Sequence, residues 1–70
     1  MEVIRTDKLN VNGGSIEIRA TLDDFEGDEF YNVEVDGVEW FTTESKMHCI
    51  VLYEMMKDHI TEYMHYEKIK

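Results

Sequence analysis

Histidine, carboxylate and thiol groups lie close together at two places in this sequence, and such groups are ligands of Zn²⁺. His59, Glu62 and His65 follow one another at three-residue spacing, and a second cluster consists of His48 and Cys49. On a helix, residues 59 and 65 point ~120° away from each other, so they do not share one ion. His48 and Cys49 are adjacent and fall on different helix faces. We therefore expect no metal site and no cofactor.

Carboxylates are densest in residues 23–29 (DDFEGDE), a segment that could attract Ca²⁺. An EF-hand loop has D-x-D-x-D-G spacing and a distal bidentate glutamate, and both are missing here. Specific Ca²⁺ coordination is therefore weakly supported, and whether this segment binds cations stays open. The ordinary alternative is a solvated loop that its charge keeps soluble.

Catalytic motifs are missing from the sequence. There is no glycine-rich phosphate loop after a strand and no G-x-S-x-G elbow. Cys49 has no predicted base on its own helix face, so a buried structural thiol is the expectation. A chain of 70 residues also has a thin core with little volume for a substrate pocket. We expect a protein that is not an enzyme and has no catalytic residues.

The elements that position these groups follow from the spacing of the apolar residues. The pattern predicts an α+β domain, an antiparallel β-meander of three to four strands packed on one long C-terminal α-helix. Whether residues 2–6 join the sheet as an edge strand stays open. One domain covers 1–70, with strands at about 2–11, 15–22, 30–35 and 38–42 and a helix at about 44–66.

The hairpin around Asp36-Gly37 has the clearest register. Asp-Gly between alternating residues is typical of a two-residue type I′ turn. Antiparallel pairing then predicts that Val35 opposes Val38 and that Glu34 opposes Glu39. The same count predicts that Val33 opposes Trp40.

The helix is predicted to begin after a threonine and to bury one stripe. Thr42 or Thr43 can cap its first amides, with Glu44 near the positive end of the helix dipole. Residues at helical spacing form the stripe that lies on the sheet: Cys49, Leu52, Tyr53, Met56, Ile60, Tyr63 and Met64.

The sheet face away from the helix is a candidate contact surface. Glu34 and Glu39 face each other there, and like charges in that position destabilise a sheet. The alternation places Phe30 and Phe41 on the same face with no helix to cover them, as at a protein interface. Alternate carboxylates stand ~7 Å apart and can imitate the charge row of a nucleic-acid backbone. The alternative is that Arg19 or Lys8 neutralises the glutamates and Phe41 turns inward at a bulge.

A second candidate surface is the flank of the helix, formed by Val51, Met55, His59 and Tyr66, with His48 beside them. A helix on a small sheet buries only one side, so this strip is predicted to bind either a second copy of the chain or another protein. The alternative is that the strip packs against the edge of the sheet.

Charge is the strongest compositional signal, with 16 acidic and 7 basic side chains and a net charge of −9. No basic residue lies between Arg19 and Lys46, where nine carboxylates lie. Such a surface repels nucleic acid and favours a basic protein. The lone Cys49, the missing export signal and the lack of an apolar run of ~18 residues predict a cytoplasmic chain that does not enter a membrane.

The leading hypothesis is a small acidic inhibitor or modulator that occupies a basic, nucleic-acid-binding type of surface on a target protein. Chains of this size and charge are common among phage and mobile-element proteins that block restriction or CRISPR nucleases, by analogy only. The alternatives are a homodimeric structural or adaptor protein that associates through the helix flank, and a metal-binding protein. The predicted partner-binding residues are Asp23, Asp24, Glu26, Asp28, Glu29, Phe30, Glu34, Glu39 and Phe41.

Overall fold

The computed structural model describes the backbone of residues 1–11 and 13–69 and the side chains of these residues as far as residue 62. Four strands, β1 (Glu2–Val11), β2 (Gly14–Phe25), β3 (Asp28–Val35) and β4 (Val38–Thr43), precede one helix, α1 (Lys46–Ile69). The strands form one sheet in the order β1-β2-β3-β4, and each neighbouring pair is antiparallel. The predicted α+β meander with a C-terminal helix is confirmed.

The segment 23–29 is a β-hairpin, so the expectation of a loop was wrong. β2 continues to Phe25 and β3 begins at Asp28, with a two-residue turn between them. Glu26 and Gly27 both have positive φ, 53° and 85°, as a type I′ turn requires. Asp36 and Gly37 repeat this geometry at 49° and 82°. The tight turn aligns the acidic ends of two strands side by side.

The core lies between one face of the sheet and one stripe of α1. Ile18, Ala20 and Val33 from the sheet and Cys49 and Tyr53 from the helix are fully buried. Alternate residues of a strand face the same side of the sheet, and helix residues four apart lie on the same face, so these side chains can meet in one core. The predicted stripe is confirmed as far as Ile60, and the side chains of Tyr63 and Met64 lie outside the described residues.

The helix is capped by Ser45, and the expected cap at Thr42 or Thr43 was wrong. The Ser45 hydroxyl accepts a hydrogen bond from the His48 amide at 3.1 Å, which satisfies an amide that has no partner within the helix. The Thr43 hydroxyl accepts a hydrogen bond from the Ser45 amide at 3.2 Å, and this amide precedes the helix. β4 extends to Thr43, so the helix begins only after Glu44 and Ser45.

One extra residue in β4 reverses the side of the sheet that Phe41 occupies. Val35 opposes Val38 and Glu34 opposes Glu39, as predicted, but Val33 opposes Phe41 and not Trp40. The register shift between Val33 and Glu34 is a β-bulge, in which two residues of one strand face one residue of the other. Phe41 therefore shares the core-facing side with Val33.

α1 crosses the sheet diagonally. It starts beside the end of β4, and its Cys49 thiol lies 3.8 Å from the Asn32 carbonyl of β3. One turn later Tyr53 donates a hydrogen bond to Asp7 of β1, and the Lys57 ammonium lies 3.5 Å from the same carboxylate. The helix, ~36 Å long for 24 residues, thus moves away from β4 as it proceeds.

Candidate functional site

On the outer face of the sheet, which is the face opposite α1, Arg19 neutralises part of the negative charge. The Arg19 guanidinium lies 2.9 Å from the Glu34 carboxylate and 3.9 Å from that of Glu17. Cross-strand pairing positions Arg19 directly opposite Glu34. The alternative in which Arg19 neutralises the glutamate pair is therefore confirmed for Glu34.

A row of polar side chains crosses the same face beside that ion pair. Thr21 and Asn32 are buried, and the Asn32 amide donates a hydrogen bond to Asp23 at 2.8 Å. The Thr42 hydroxyl lies 2.6 Å from a Glu39 oxygen and donates to it. These bonds satisfy the groups within the sheet, so the middle of the outer face offers few open hydrogen-bonding positions.

Phe30 and Phe41 do not share a face, so their predicted aromatic pair was wrong. Phe41 lies on the core side and lines a groove beside Leu52 and Met56. Phe30 stays on the outer face, where it is half-buried and opposes Asp23. The bulge at Trp40 causes the separation, because one inserted residue reverses the alternation that follows.

The largest surplus of negative charge lies at the end of the β2-β3 hairpin, residues 23–30, which we term the acidic tip. Its cross-strand pairs are Asp23 with Phe30, Asp24 with Glu29, and Phe25 with Asp28. An acid thus stands opposite an aromatic ring in two of three pairs. Phe25 is 68% exposed, so its ring lies at the surface beside the turn. Acids and apolar contact area are therefore presented together.

No ion pair involves the carboxylates of the acidic tip within the described part of the chain. Asp24 and Glu29 face each other directly, and like charges in this position repel. The Asp24 carboxylate accepts a hydrogen bond from the Gly27 amide at 3.2 Å, which supports the turn but neutralises nothing. Arg5 and Lys57 are engaged elsewhere, with Glu54 at 2.8 Å and Asp7 at 3.5 Å. The tip therefore keeps its negative potential.

The flank of the helix forms a separate apolar surface. Val51 and Met55 are 50% and 62% exposed, and His59 is exposed beside them. The side chain of Tyr66, the fourth predicted member, lies outside the described residues. The predicted neighbour His48 lies three residues before Val51, at the start of the helix, with its Nδ1 3.4 Å from the Thr43 hydroxyl.

A groove of about 280 Å³ separates this flank from β4. It is lined by Phe41, Leu52, Met55, Met56 and His59. The groove is open to solvent and almost entirely apolar, so it suits side chains of a partner better than a polar substrate.

The part of the chain with described side chains contains no group of three or more His, Cys, Asp or Glu residues placed to hold a metal ion. Cys49 is buried, and burial raises the pKa of its thiol. A thiol that resists ionisation is a poor nucleophile. His65 of the suspected zinc motif lies outside the described side chains.

Sequence reasoning missed Phe25 and Trp40, which are 68% and 60% exposed. The signal that could have identified Phe25 as exposed is its position between acids, where an isolated aromatic has no apolar neighbours in sequence. The count from the Asp36-Gly37 turn includes no bulge, so it places Trp40 opposite Val33, on the side of the sheet that Phe41 occupies in the structure.

Comparisons with protein-family models, with curated proteins and with solved structures gave no match. Within residues 1–11 and 13–69, no helix combines the length and the apolar character that a membrane span requires. The geometry of the surface residues is therefore the basis for a functional proposal.

Proposed function

We propose that this protein is an acidic modulator that binds another protein through the acidic tip and occupies a basic, nucleic-acid-binding type of surface there. The observation behind the proposal is that carboxylates with no ion pair among the described residues adjoin the exposed Phe25 ring. Binding of this kind blocks the partner's access to nucleic acid, which makes inhibition the expected effect.

The two kinds of side chain in the tip have different roles in binding. The carboxylates of Asp24, Glu26 and Glu29 attract a basic surface over a distance and raise the association rate. Phe25 and Phe30 supply apolar area that is desolvated on contact and slows dissociation. A net charge of −9 repels nucleic acid itself, so the partner is a protein.

The acidic tip replaces the sheet face as the centre of the proposed surface. Glu34 is paired with Arg19, and Glu39 accepts the Thr42 hydroxyl. Separating these groups on binding costs free energy that a partner must first supply. In the tip, Asp24 accepts a hydrogen bond from the Gly27 amide and Asp23 accepts one from Asn32. The other tip carboxylates can bind a partner without first breaking a bond among the described residues.

The proposed location is the cytoplasm, where basic nucleic-acid-binding proteins are present. The buried Cys49 is the chain's lone cysteine, so a disulfide within the chain is impossible and an oxidising compartment offers no benefit.

A charge-matched pair of variants tests the proposal. The tip variant replaces Asp24, Glu26, Asp28 and Glu29 with their amides. The control variant replaces four exposed carboxylates, which lie away from both the tip and the helix flank, with theirs: Glu2, Glu17, Asp36 and Glu44. Both lower the net charge by the same amount, so any difference between them reports position. Proteins captured from a host lysate are compared at about 50 mM and about 500 mM salt, which changes the screening length severalfold.

The proposal predicts that the tip variant loses a basic protein that the wild type and the control variant both retain at low salt. The captured protein, once purified, should release the wild-type chain when a DNA or RNA duplex is added. Capture that is equal for both variants, or that is unchanged at high salt, contradicts the proposal. Retention of the captured protein in the presence of excess nucleic acid contradicts the proposed type of surface.

A further inference from the structure

The groove between α1 and β4 exists because the helix leaves β4 as it crosses the sheet. Tyr53 and Lys57 are held at Asp7 of β1, at the opposite edge. The next turns of α1 therefore diverge from β4, and Phe41 stays 36% exposed although it lies on the core side. The radius of gyration of 13.3 Å exceeds the ~11 Å expected for a compact chain of this length, which agrees with a helix that the sheet does not cover.

The groove has the character of a protein contact and not of a small-molecule site. Its volume of about 280 Å³ is just below the range of ~300–1,000 Å³ in which ligand pockets fall. Met55 and Met56, which are unbranched and adapt to different neighbours, contribute to its wall. Leu52 and Phe41 also line it. Such a surface accommodates apolar side chains from a partner segment.

The charges around the groove are one-sided. Asp58 and Glu62 are exposed and lie three residues after the groove residues Met55 and His59, beside them on the helix surface. Among residues with described side chains, the cations lie away from the groove. Arg5 and Lys57 bind acids on the β1 side, and Arg19 binds Glu34 on the outer face. Lys8 is in β1 opposite Glu17, and Lys46 is nine residues before Met55, on the opposite side of the helix.

This charge pattern distinguishes between two possible occupants. A second copy of the chain would bring Asp58 and Glu62 of one copy near those of the other, with a net charge of −9 on each. Like charges oppose that contact. A basic amphipathic segment has the complementary pattern, with apolar residues for the groove and cations for its rim.

We propose that the groove lined by Phe41, Leu52, Met55, Met56 and His59 is a second binding site, which takes the apolar face of a lysine- or arginine-bearing amphipathic helix from a partner protein. It is separate from the acidic tip, since Asp28 is five residues, about 17 Å, along β3 from the Val33 that opposes Phe41. The proposal does not depend on the function proposed for the tip.

A pair of synthetic peptides serves as the probe. Each has about 15 residues with leucines at helical spacing, and the remaining positions are all lysine in one peptide and all glutamate in the other. The full chain, isotopically labelled, is titrated with each peptide, and changes in its amide and methionine methyl signals are mapped. The lysine peptide should shift Phe41, Leu52, Met55 and Met56, and the glutamate peptide should not.

Met55→Glu and Met47→Glu form a matched pair of variants. Both methionines are exposed, at 62% and 78%, and both substitutions add the same charge to the same helix. Only Met55 lines the groove. Met55→Glu should weaken binding of the lysine peptide by about tenfold or more, although it adds attraction, whereas Met47→Glu should not weaken it. An unchanged amide spectrum shows that each variant folds, and Met55→Ala repeats the test without a new charge.

Three outcomes overturn the proposal. An equal change in affinity for both methionine variants shows that the lysine peptide does not depend on the groove. Shifts confined to residues 23–30 assign the lysine peptide to the acidic tip, and the tip variant described above then abolishes them. Groove signals that depend on protein concentration without peptide, together with a dimer mass, assign the groove to a second copy of this chain.

Discussion

The phenol of Tyr53, in α1, donates a hydrogen bond to the carboxylate of Asp7, in the edge strand β1. The Lys57 ammonium lies 3.5 Å from the same carboxylate, and the Arg5 guanidinium lies 5.6 Å from the centre of the Tyr53 ring. The bond joins residues that are 46 positions apart and sets the direction in which the helix crosses the sheet. The groove beside β4 is a consequence of that direction.

Asp7 should make folding sensitive to acid. The Tyr53 hydrogen bond, helped by Lys57, lowers the pKa of Asp7. The unfolded chain takes up the proton near pH ~3.9, so the stabilisation is present above that pH and is lost as the pH falls towards the lowered pKa of the folded state. The free-energy difference between wild type and Asp7→Asn, from urea unfolding, should shrink as the pH falls below ~4. A difference that is constant with pH contradicts this, and Asp58→Asn is the exposed control.

Tyr53 should make folding sensitive to alkali. Burial, and then the bond to Asp7, raise the pKa of Tyr53. The folded state keeps the phenol proton after the unfolded state has lost it near pH ~10, so this stabilisation is present below that pH and is lost as the pH rises further. We expect the stability advantage of wild type over Tyr53→Phe to decline above pH ~10, as measured by unfolding. Parallel pH profiles for the two proteins contradict the assignment.

Arg19→Gln should destabilise the sheet by about 1 kcal/mol, because it leaves Glu34 opposite Glu39 without a cation. Adding Glu34→Gln to Arg19→Gln should recover most of that loss, since the repulsion is removed. A double-mutant cycle by urea unfolding measures the coupling. Lys8→Gln is the control, and equal losses from the two cations contradict a specific role of Arg19.

Glu26→Asn should increase stability by about 0.5–1 kcal/mol and at the same time weaken binding of a basic partner. Glu26 has a φ of 53°, a backbone region in which asparagine is favoured. Thermal unfolding and the capture assay together measure both effects. Gly27→Ala, at a φ of 85°, should destabilise the chain. Gly14→Ala should have a smaller effect, because the φ of Gly14 is not positive and an added Cβ would make an ordinary 3.8 Å contact. No gain from Glu26→Asn contradicts strain at this turn.

Ser45→Ala should destabilise the chain by about 1 kcal/mol, because the His48 amide loses its side-chain acceptor. Urea unfolding followed by circular dichroism measures the loss. Ser15→Ala, at an exposed position of β2, is the control and should have little effect. A larger loss for Thr43→Ala than for Ser45→Ala would assign the cap to the threonine.

Local patterns were sufficient for the order of the elements and for parts of their register. Alternating apolar residues and Asp36-Gly37 predicted the β3-β4 hairpin and the opposition of Glu34 and Glu39. Helical spacing predicted the buried stripe that includes Cys49 and Tyr53. These features depend on neighbours within a few residues, whose steric and apolar preferences are the same in most folds.

The composition of the candidate surfaces could not be predicted in this way. Phe41 moved to the core side because β4 admits one extra residue at Trp40. On that side Phe41 lines one groove with Leu52 and Met56 of α1, which are more than ten residues away in sequence. A single inserted residue moves every later side chain of the strand to the other face of the sheet. Counting alternate positions from a turn therefore gives the wrong face beyond a bulge.

The amino-acid order is sufficient to establish that negative charge is concentrated between Arg19 and Lys46 and that apolar residues alternate through the strands and form a stripe on the helix. Which carboxylates keep their charge unneutralised depends on the assembled sheet. The Glu26-Gly27 turn aligns Arg19 with Glu34 across 15 residues and leaves the acidic tip without a cation among the described residues. The physical reason is that an ion pair requires proximity of a few ångströms, and pairing between distant strands creates that proximity.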